Sequence, residues 1–473
     1  MSVLAKWKKS DLVSSVNREL GGVWCLAFFC LLFLVTSVFG LELLCYTVCW
    51  LFAVWLLLFS DDLYPLLGII PMLYYTPSLT NNPGRNPDSV FYPENGLVYI
   101  VVLIVTFLVL FLARVISDVR QGNVKVRFPT LTVGFVLLGA AYLLGGVGYE
   151  DYDGRTLAFG ALEILSLALV YFLFTLFCDV ARAPKAYFAW MLFFSGVLLF
   201  GETLSVYAFG EVFANGSPVR GQIYTGWGMY NNLGAALCMM MPGAFYLAAV
   251  HRAGPAFLLA GYALFGAVVL TLSRTSIAVG AVIAVLGTIG VLIQSRGAVR
   301  IWNAVLAVLA ASAAAALCYL FRGAVLSLVQ ALLNFEETGS SRLETYREGW
   351  ELFRAHPFFG TGFYSCEQYK WGKLDSFIPP RWHNTYVQLL AACGIVGLLA
   401  YLVHRMETLV ILFRAPCFEK WMIALSVLAL IATSWLDCHF FNLGPGLLYS
   451  ALLCFAEKQF GRREKHAPEG GIG

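Results

Sequence analysis

Residues 255–294 read PAFLLAGYALFGAVVLTLSRTSIAVGAVIAVLGTIGVLIQ, a run in which Arg274 is the only charge. A hydrocarbon core is crossed by about 20 apolar residues in a helix, because every backbone polar group must pair inside its own segment. The run is therefore two spans folded back at Ser273-Arg274-Thr275, each too apolar all round for the surface of a soluble domain. The pattern repeats outward in both directions. Spans fall near 21–39, 41–59, 63–77, 96–115, 128–147, 157–178, 186–206, 232–250, 255–272, 275–294, 301–320, 384–404, 420–437 and 446–460. The third is short and holds Pro65 and Pro71, which predicts a tilted, kinked or re-entrant segment and a total of 12–14 spans. Composition agrees: 60% of residues are apolar, 12% are charged and mean hydropathy is +0.76, against about 25% charge in a soluble domain. The expected fold is an all-α polytopic membrane helix bundle with one long outer-face loop containing an amphipathic helix.

Basic residues orient the bundle, since short cytoplasmic loops retain Lys and Arg. Lys6, Lys8, Lys9 and Arg18 precede the first span, Arg120, Lys125 and Arg127 share one loop, and Arg462, Arg463 and Lys465 lie in the tail. Short loops of opposite parity hold only Arg85, Arg155, Arg220 and Arg274. The expected order is a cytoplasmic amino terminus (1–20), a bundle (21–320), an outer-face loop (321–383), a second part of the bundle (384–460) and a cytoplasmic tail (461–473). The first apolar stretch is too long for a cleavable signal and lacks a small-residue cleavage site, so it reads as an uncleaved span. Most of the 12 cysteines lie within spans, as Cys25, Cys45, Cys238 and Cys318 do, where Cys packs as a small apolar residue. Cys366 and Cys438 are the ones expected outside, too few for a disulfide framework. No cofactor and no nucleic-acid partner is expected; membrane lipid is.

Ionisable residues inside spans are functional candidates by default. Glu163 is the most central and reads as a buried acid bonded to a neighbouring helix. Glu42, Glu202, Asp437 and His439 sit near helix ends, where snorkelling or interfacial water suffices. Polar residues gather instead at the outer face. The segment 211–232, EVFANGSPVRGQIYTGWGMYNN, carries Arg220, Tyr224, Asn231 and Asn232 among glycines, and Arg274 marks a hinge. In the long loop, Ser341 and Glu344 form a capping-box pattern, and Leu343, Tyr346, Trp350 and Phe353 recur at helical spacing up to His356 and Pro357. Arg342 falls in that helix's first turn, where free N–H groups favour anions and a guanidinium fork matches two phosphate oxygens. Gly360 and Gly362 offer backbone N–H groups to a ligand. His383 stands where the next span begins; the positive helix end favours neutral imidazole, a base near pH 7, with Asn384 or a loop carbonyl to fix its tautomer. A metal alternative rests on Asp151 and Asp153 in YEDYDGR (149–155), whose Asp-x-Asp spacing holds divalent cations in many glycosyltransferases; solvated acids are the blander reading. No zinc-ligand cluster or phosphate-binding Gly-Lys-Ser loop is present.

The stretch SSRLETYREGWELFRAHPFFGTGFYS (340–365) followed by RWHNTYVQLLAACGIVGLLAYL (381–402) resembles the carboxy-terminal region of the O-antigen ligase and O-antigen polymerase family. The shared order is a Ser-Arg start, a helix ending in His-Pro, a Gly-x-Gly turn, a variable loop, then His-Asn-x-Tyr and a glycine-containing span. LSRTSIAVGAVIAV (272–285) resembles the family's outer-face Ser-Arg element, and the segment through Asn231 its Asn-containing helix start. The resemblance implies a metal-independent inverting glycosyltransferase of GT-C type. Such enzymes move a glycan from undecaprenyl diphosphate to an acceptor hydroxyl at the outer face of the inner membrane. The acceptor is the lipid A core in ligases, another glycan in polymerases and a protein Ser or Thr in some oligosaccharyltransferases. It implies His383 as the catalytic base, Arg342 and Arg274 as diphosphate-binding arginines with Arg220 as a further cation, and no metal; Asn384, Tyr386, Tyr224 and Asn231 are expected in support. From another class, a lipid-linked oligosaccharide flippase also needs a bundle and basic groups, but its cations should line a cavity reaching both faces.

Overall fold

The computed structural model describes residues 10–39, 41–75, 96–122, 128–150, 152, 154–210, 212–214, 217–225, 228–333, 340–363, 382–441 and 443–461. Among them are seventeen α-helices. Helix α1 (Asp11–Leu20) is capped by Ser10, whose hydroxyl accepts from the Val13 N–H, and it bends by 62° into α2 (Val23–Phe39). There follow α3 (Glu42–Phe59), α4 (Tyr64–Tyr75), α5 (Gly96–Arg120), α6 (Thr132–Leu144), α7 (Gly154–Phe177) and α8 (Tyr187–Phe209). Then come α9 (Tyr230–Val250), α10 (Gly254–Leu270), α11 (Arg274–Gln294), α12 (Gly297–Leu320), α13 (Arg322–Leu333) and α14 (Ser340–Ala355). Helices α15 (Thr385–Phe413), α16 (Phe418–Thr433) and α17 (Leu443–Lys458) complete the bundle.

This is an all-α membrane bundle, and a helix occupies every apolar stretch read from the sequence. Six helices are long and apolar enough to cross a bilayer unaided: α5 from Val101 onward, α8, α9, α11, α12 and α15. The α1–α2 pair counts as a seventh if its bent halves form one span, and α3, α4, α6 and α10 are shorter. Helix α9 forms the centre, buried along nearly its whole length against α8, α10, α11 and α16. Helices α5 and α12 lie at the periphery with apolar side chains facing outward, as lipid contact demands. Cys318 lies within α12, as its span reading had it, on the exposed face of that peripheral helix, whereas Cys438, expected outside, is buried. Cys366 lies outside the described residues.

The long loop is less irregular than expected. Helix α13 occupies its start, and α14 packs on the first turns of α15 through Gly349, where an added Cβ would lie 2.5 Å from Val387 and 2.6 Å from Trp382. The buried face of α14 thus centres on Gly349 and Leu352, while Leu343 and Trp350 are exposed, a shift from the stripe read in the sequence. Ser341 lies inside the helix, not at a cap.

Helix α15 is broken at Gly394, whose φ of 61° and ψ of −157° belong to a region essentially reserved for glycine. Backbone groups freed inside a membrane bundle must be paired elsewhere. Here the segment after α14 pairs them: Ile395 N–H donates to the Pro357 carbonyl (2.8 Å) and Val396 N–H to Phe358 (3.3 Å). In return, Thr361 and Gly362 N–H donate to Ala391 and Ala392, each at 2.8 Å. The Gly360 N–H goes to the His356 carbonyl. The Gly362 N–H therefore patches the broken span and the Gly360 N–H closes the end of α14, so neither is free for a ligand, correcting the sequence expectation.

Across the bend, the Tyr386 and Tyr401 rings lie 5.9 Å apart, although fifteen residues of straight helix would separate them by about 22 Å. Tyr401 in turn lies under the Arg405 guanidinium (4.6 Å), which also stacks over Phe440 (4.5 Å) and Tyr449 (5.2 Å). Glu202 is fully buried on α8, with neither carboxyl oxygen bonded among the described residues. Its sequence reading, an acid near a helix end reached by snorkelling or interfacial water, gives way to a fully buried one. The Glu163 and Glu42 side chains lie outside the described residues.

Candidate active site

His383 is the second residue of a short approach to α15. Trp382 is buried against Ala391, and its N–H donates to Gln388 Oε1 (3.2 Å). Asn384 caps α15: its Oδ1 accepts from the Tyr386 and Val387 N–H groups at 2.8 and 3.1 Å, and its Nδ2 donates to the Trp435 carbonyl (2.9 Å). Between these two anchors His383 takes a φ of 51°, uncommon for a residue with a side chain and typical of positions held for a purpose. The Tyr346 hydroxyl donates to the His383 carbonyl at 2.9 Å, tying α14 to the same point. Burial pushes that hydroxyl up to about 12, so it remains a donor.

The His383 side chain is 45% exposed, and its Nδ1 lies 3.3 Å from Asp437 Oδ1. Asp437 follows α16 in the turn leading to Cys438 and His439. Its Oδ1 also accepts from the Cys438 N–H (2.8 Å), and its Oδ2 accepts from Asn231 Nδ2 (2.9 Å). Asn231, in the first turn of α9, turns its Oδ1 to Arg220 Nη2 (2.8 Å) and the Ser273 hydroxyl (3.0 Å). A continuous chain therefore runs Arg220–Asn231–Asp437–His383, with Ser273 joined at Asn231. Asn232 Oδ1 meets His439 Nδ1 at 2.9 Å in the same layer.

Charges reinforce the geometry. Burial would raise the Asp437 carboxyl, but His439, its bond to His383 and the Cys438 N–H together hold it well below the usual carboxylate range. Burial draws His439 below the ordinary histidine value; Asp437 opposes this, while Arg342 and His383 add to it. Arg220 is lowered first by burial and then by Arg342 and Arg274, against Tyr230 and Asp437. All three arginines thus share one electrostatic neighbourhood. Arg220 stacks on Tyr230 at 4.2 Å, and its Nε is buried with no hydrogen-bond partner among the described residues.

Of the residues chosen from sequence, His383, Arg220 and Asn231 belong to one bonded chain, and Arg274 and Arg342 stand near it. Asn384 is a helix cap, so the tautomer partner foreseen for His383 is replaced by Asp437. The Tyr386 ring is turned toward Trp435 and Tyr401. Tyr224 pairs through its backbone with Met229 in a two-residue hairpin, and its side chain lies outside the described residues. Asp437 and His439, read as interfacial, are bonded members of the site, and His439 is buried. The available signal was parity: the loop holding them emerges on the same face as His383. Asp151 and Asp153 lie outside the described residues, and among those described no three His, Cys, Asp or Glu side chains gather as metal ligands.

A family model for O-antigen ligase matches residues 258–402. Over that stretch the chain is similar to the O-antigen ligase family. The matched region runs from α10 into α15 and includes Arg274, Arg342 and His383. The matched stretch is joined in space by Arg220, Asn231 and Asp437, which lie outside it on both sides in the sequence. No curated protein matches the chain.

Proposed function

We propose that the protein is a glycosyltransferase of the O-antigen ligase type, moving a glycan from undecaprenyl diphosphate to an acceptor hydroxyl at the outer face of a bacterial cytoplasmic membrane. The observation that carries this reading is the bonded chain joining Arg220 to His383 through Asn231 and Asp437, with Arg274 and Arg342 beside it. With Nδ1 directed at Asp437, His383 has Nε2 free for the acceptor. As the acceptor oxygen attacks the anomeric carbon its proton passes to Nε2, and Asp437 stabilises the imidazolium that forms. The bond from the anomeric carbon to the diphosphate oxygen breaks with its electron pair, and configuration at that carbon inverts. The leaving diphosphate gathers negative charge, which the three guanidiniums and the unpaired Arg220 N–H stabilise. Repeat-unit polymerisation and protein O-glycosylation use the same chemistry with another acceptor.

The test is transfer in membranes by the full-length protein supplied with an undecaprenyl-diphosphate-linked glycan. His383→Ala and Arg342→Ala should remain in the membrane and lose transfer by at least about a hundredfold. Wild-type transfer by His383→Ala would overturn the reading. Arg342→Lys should also be impaired, because an ammonium lacks the two-pronged contact. Excess chelator should leave transfer intact; loss restored by a divalent ion would favour Asp151 and Asp153.

A further inference from the structure

Trp435 lies in the turn that follows α16, in a position unlike the aromatic residues around it. The residue is 54% exposed, yet its carbonyl is bonded and its ring rests against a neighbouring ring. The Asn384 side chain binds its carbonyl, and the Tyr386 ring lies 4.7 Å from its own at 50°. Tyr386 stands edge-on to Tyr401, and Tyr401 lies under Arg405. An exposed indole is thus mounted on a pillar of rings and a buried cation, next to the residue that follows His383. Rigid, amphipathic aromatic surface of this kind gives contact area at little entropic cost and suits ligands with one apolar face. Pyranose rings present such a face of C–H groups, with hydroxyls at the rim.

We propose that Trp435 is the stacking platform for the acceptor sugar, the ring carrying the hydroxyl that attacks. The assignment to acceptor rather than donor rests on the function proposed above. The base touches the acceptor, and Trp435 is bonded to the neighbour of that base, whereas the arginines enter from α9's approach, α11 and α14. A Trp that merely anchors the bundle at the membrane surface would need apolar bulk but no rigid support beside the base.

Steady-state transfer by the full-length protein in nanodiscs tests this, with delipidated core oligosaccharide and free repeat-unit glycan as varied acceptors. Trp435→Leu should raise the acceptor KM about tenfold, with kcat and donor KM nearly unchanged, and Trp435→Phe should recover most of the loss. An unchanged acceptor KM, or equal behaviour of Leu and Phe, would overturn the proposal. Saturation-transfer NMR with the same two glycans reads stacking without turnover. The signal should persist in His383→Ala and Trp435→Phe and vanish in Trp435→Leu; a signal independent of Trp435, or none, counts against the platform. Because His383→Ala abolishes transfer but not stacking, failure of the platform and failure of the enzymatic reading are distinguishable.

Discussion

Asp437 takes bonds from three directions, and each comes from a different part of the chain: His383 before α15, Asn231 in α9 and the N–H of its own neighbour. Its carboxyl is ionised at every pH above about 4, since its native value lies below the usual carboxylate pKa. By linkage, the stability this group contributes is complete above that unfolded value and is lost as pH falls through the lower folded one. Asp437→Asn should lower transfer at least about tenfold, because a neutral amide stabilises the imidazolium that forms on His383 less than a carboxylate does. Transfer by Asp437→Asn equal to that of the unchanged protein would show that Asp437 does not act through His383. Sequence alone points to His383, Arg220 and Asn231 because cations, amides and a histidine are sparse in so apolar a chain. It misses Asp437 because an acid at a span end reads equally well as a solvated one, and its partners are 54 and 206 residues away.

At the scale of elements, apolar run length and parity recover the helices, since backbone self-sufficiency in lipid leaves little else for such runs to do. The break in α15 is invisible by the same logic. Cys393-Gly394 sits in an apolar run, and a glycine in a span is ordinary. Only the positive φ of Gly394 and the four backbone bonds from residues 357–362 reveal it. A Cβ at 394 would lie 2.4 Å from the Phe358 carbonyl. Gly394→Ala should therefore destabilise the protein by at least about 1–3 kcal/mol, seen as a lower Tm of the detergent-solubilised protein. Gly266→Ala, where an added Cβ has open space, is the control expected to leave Tm nearly unchanged. The hairpins at 213–218 and 224–229 also escape the sequence reading, their strands being two residues each.

At the scale of the whole molecule, the described members of the site emerge at one end of the bundle, while ion pairs such as Arg114–Asp118 and Lys185–Glu419 occupy the other. If basic-residue bias orients the chain, a cysteine introduced at Glu344 reacts with a membrane-impermeant maleimide added outside intact cells, and one at Lys185 reacts only after lysis. This is measured in a background lacking Cys318 and Cys366; the reverse pattern would invert the assigned topology.

The patched break has a consequence for how this protein changes over generations. Phe363 and Trp382 are both fully buried, with backbone bonds on Thr361 and Gly362 beside the first and the Asn384 side chain capping α15 beside the second. Changes at Phe363, Trp382 or Asn384 would loosen these moorings, so these three positions are expected to vary less over generations than an exposed neighbour such as Phe358.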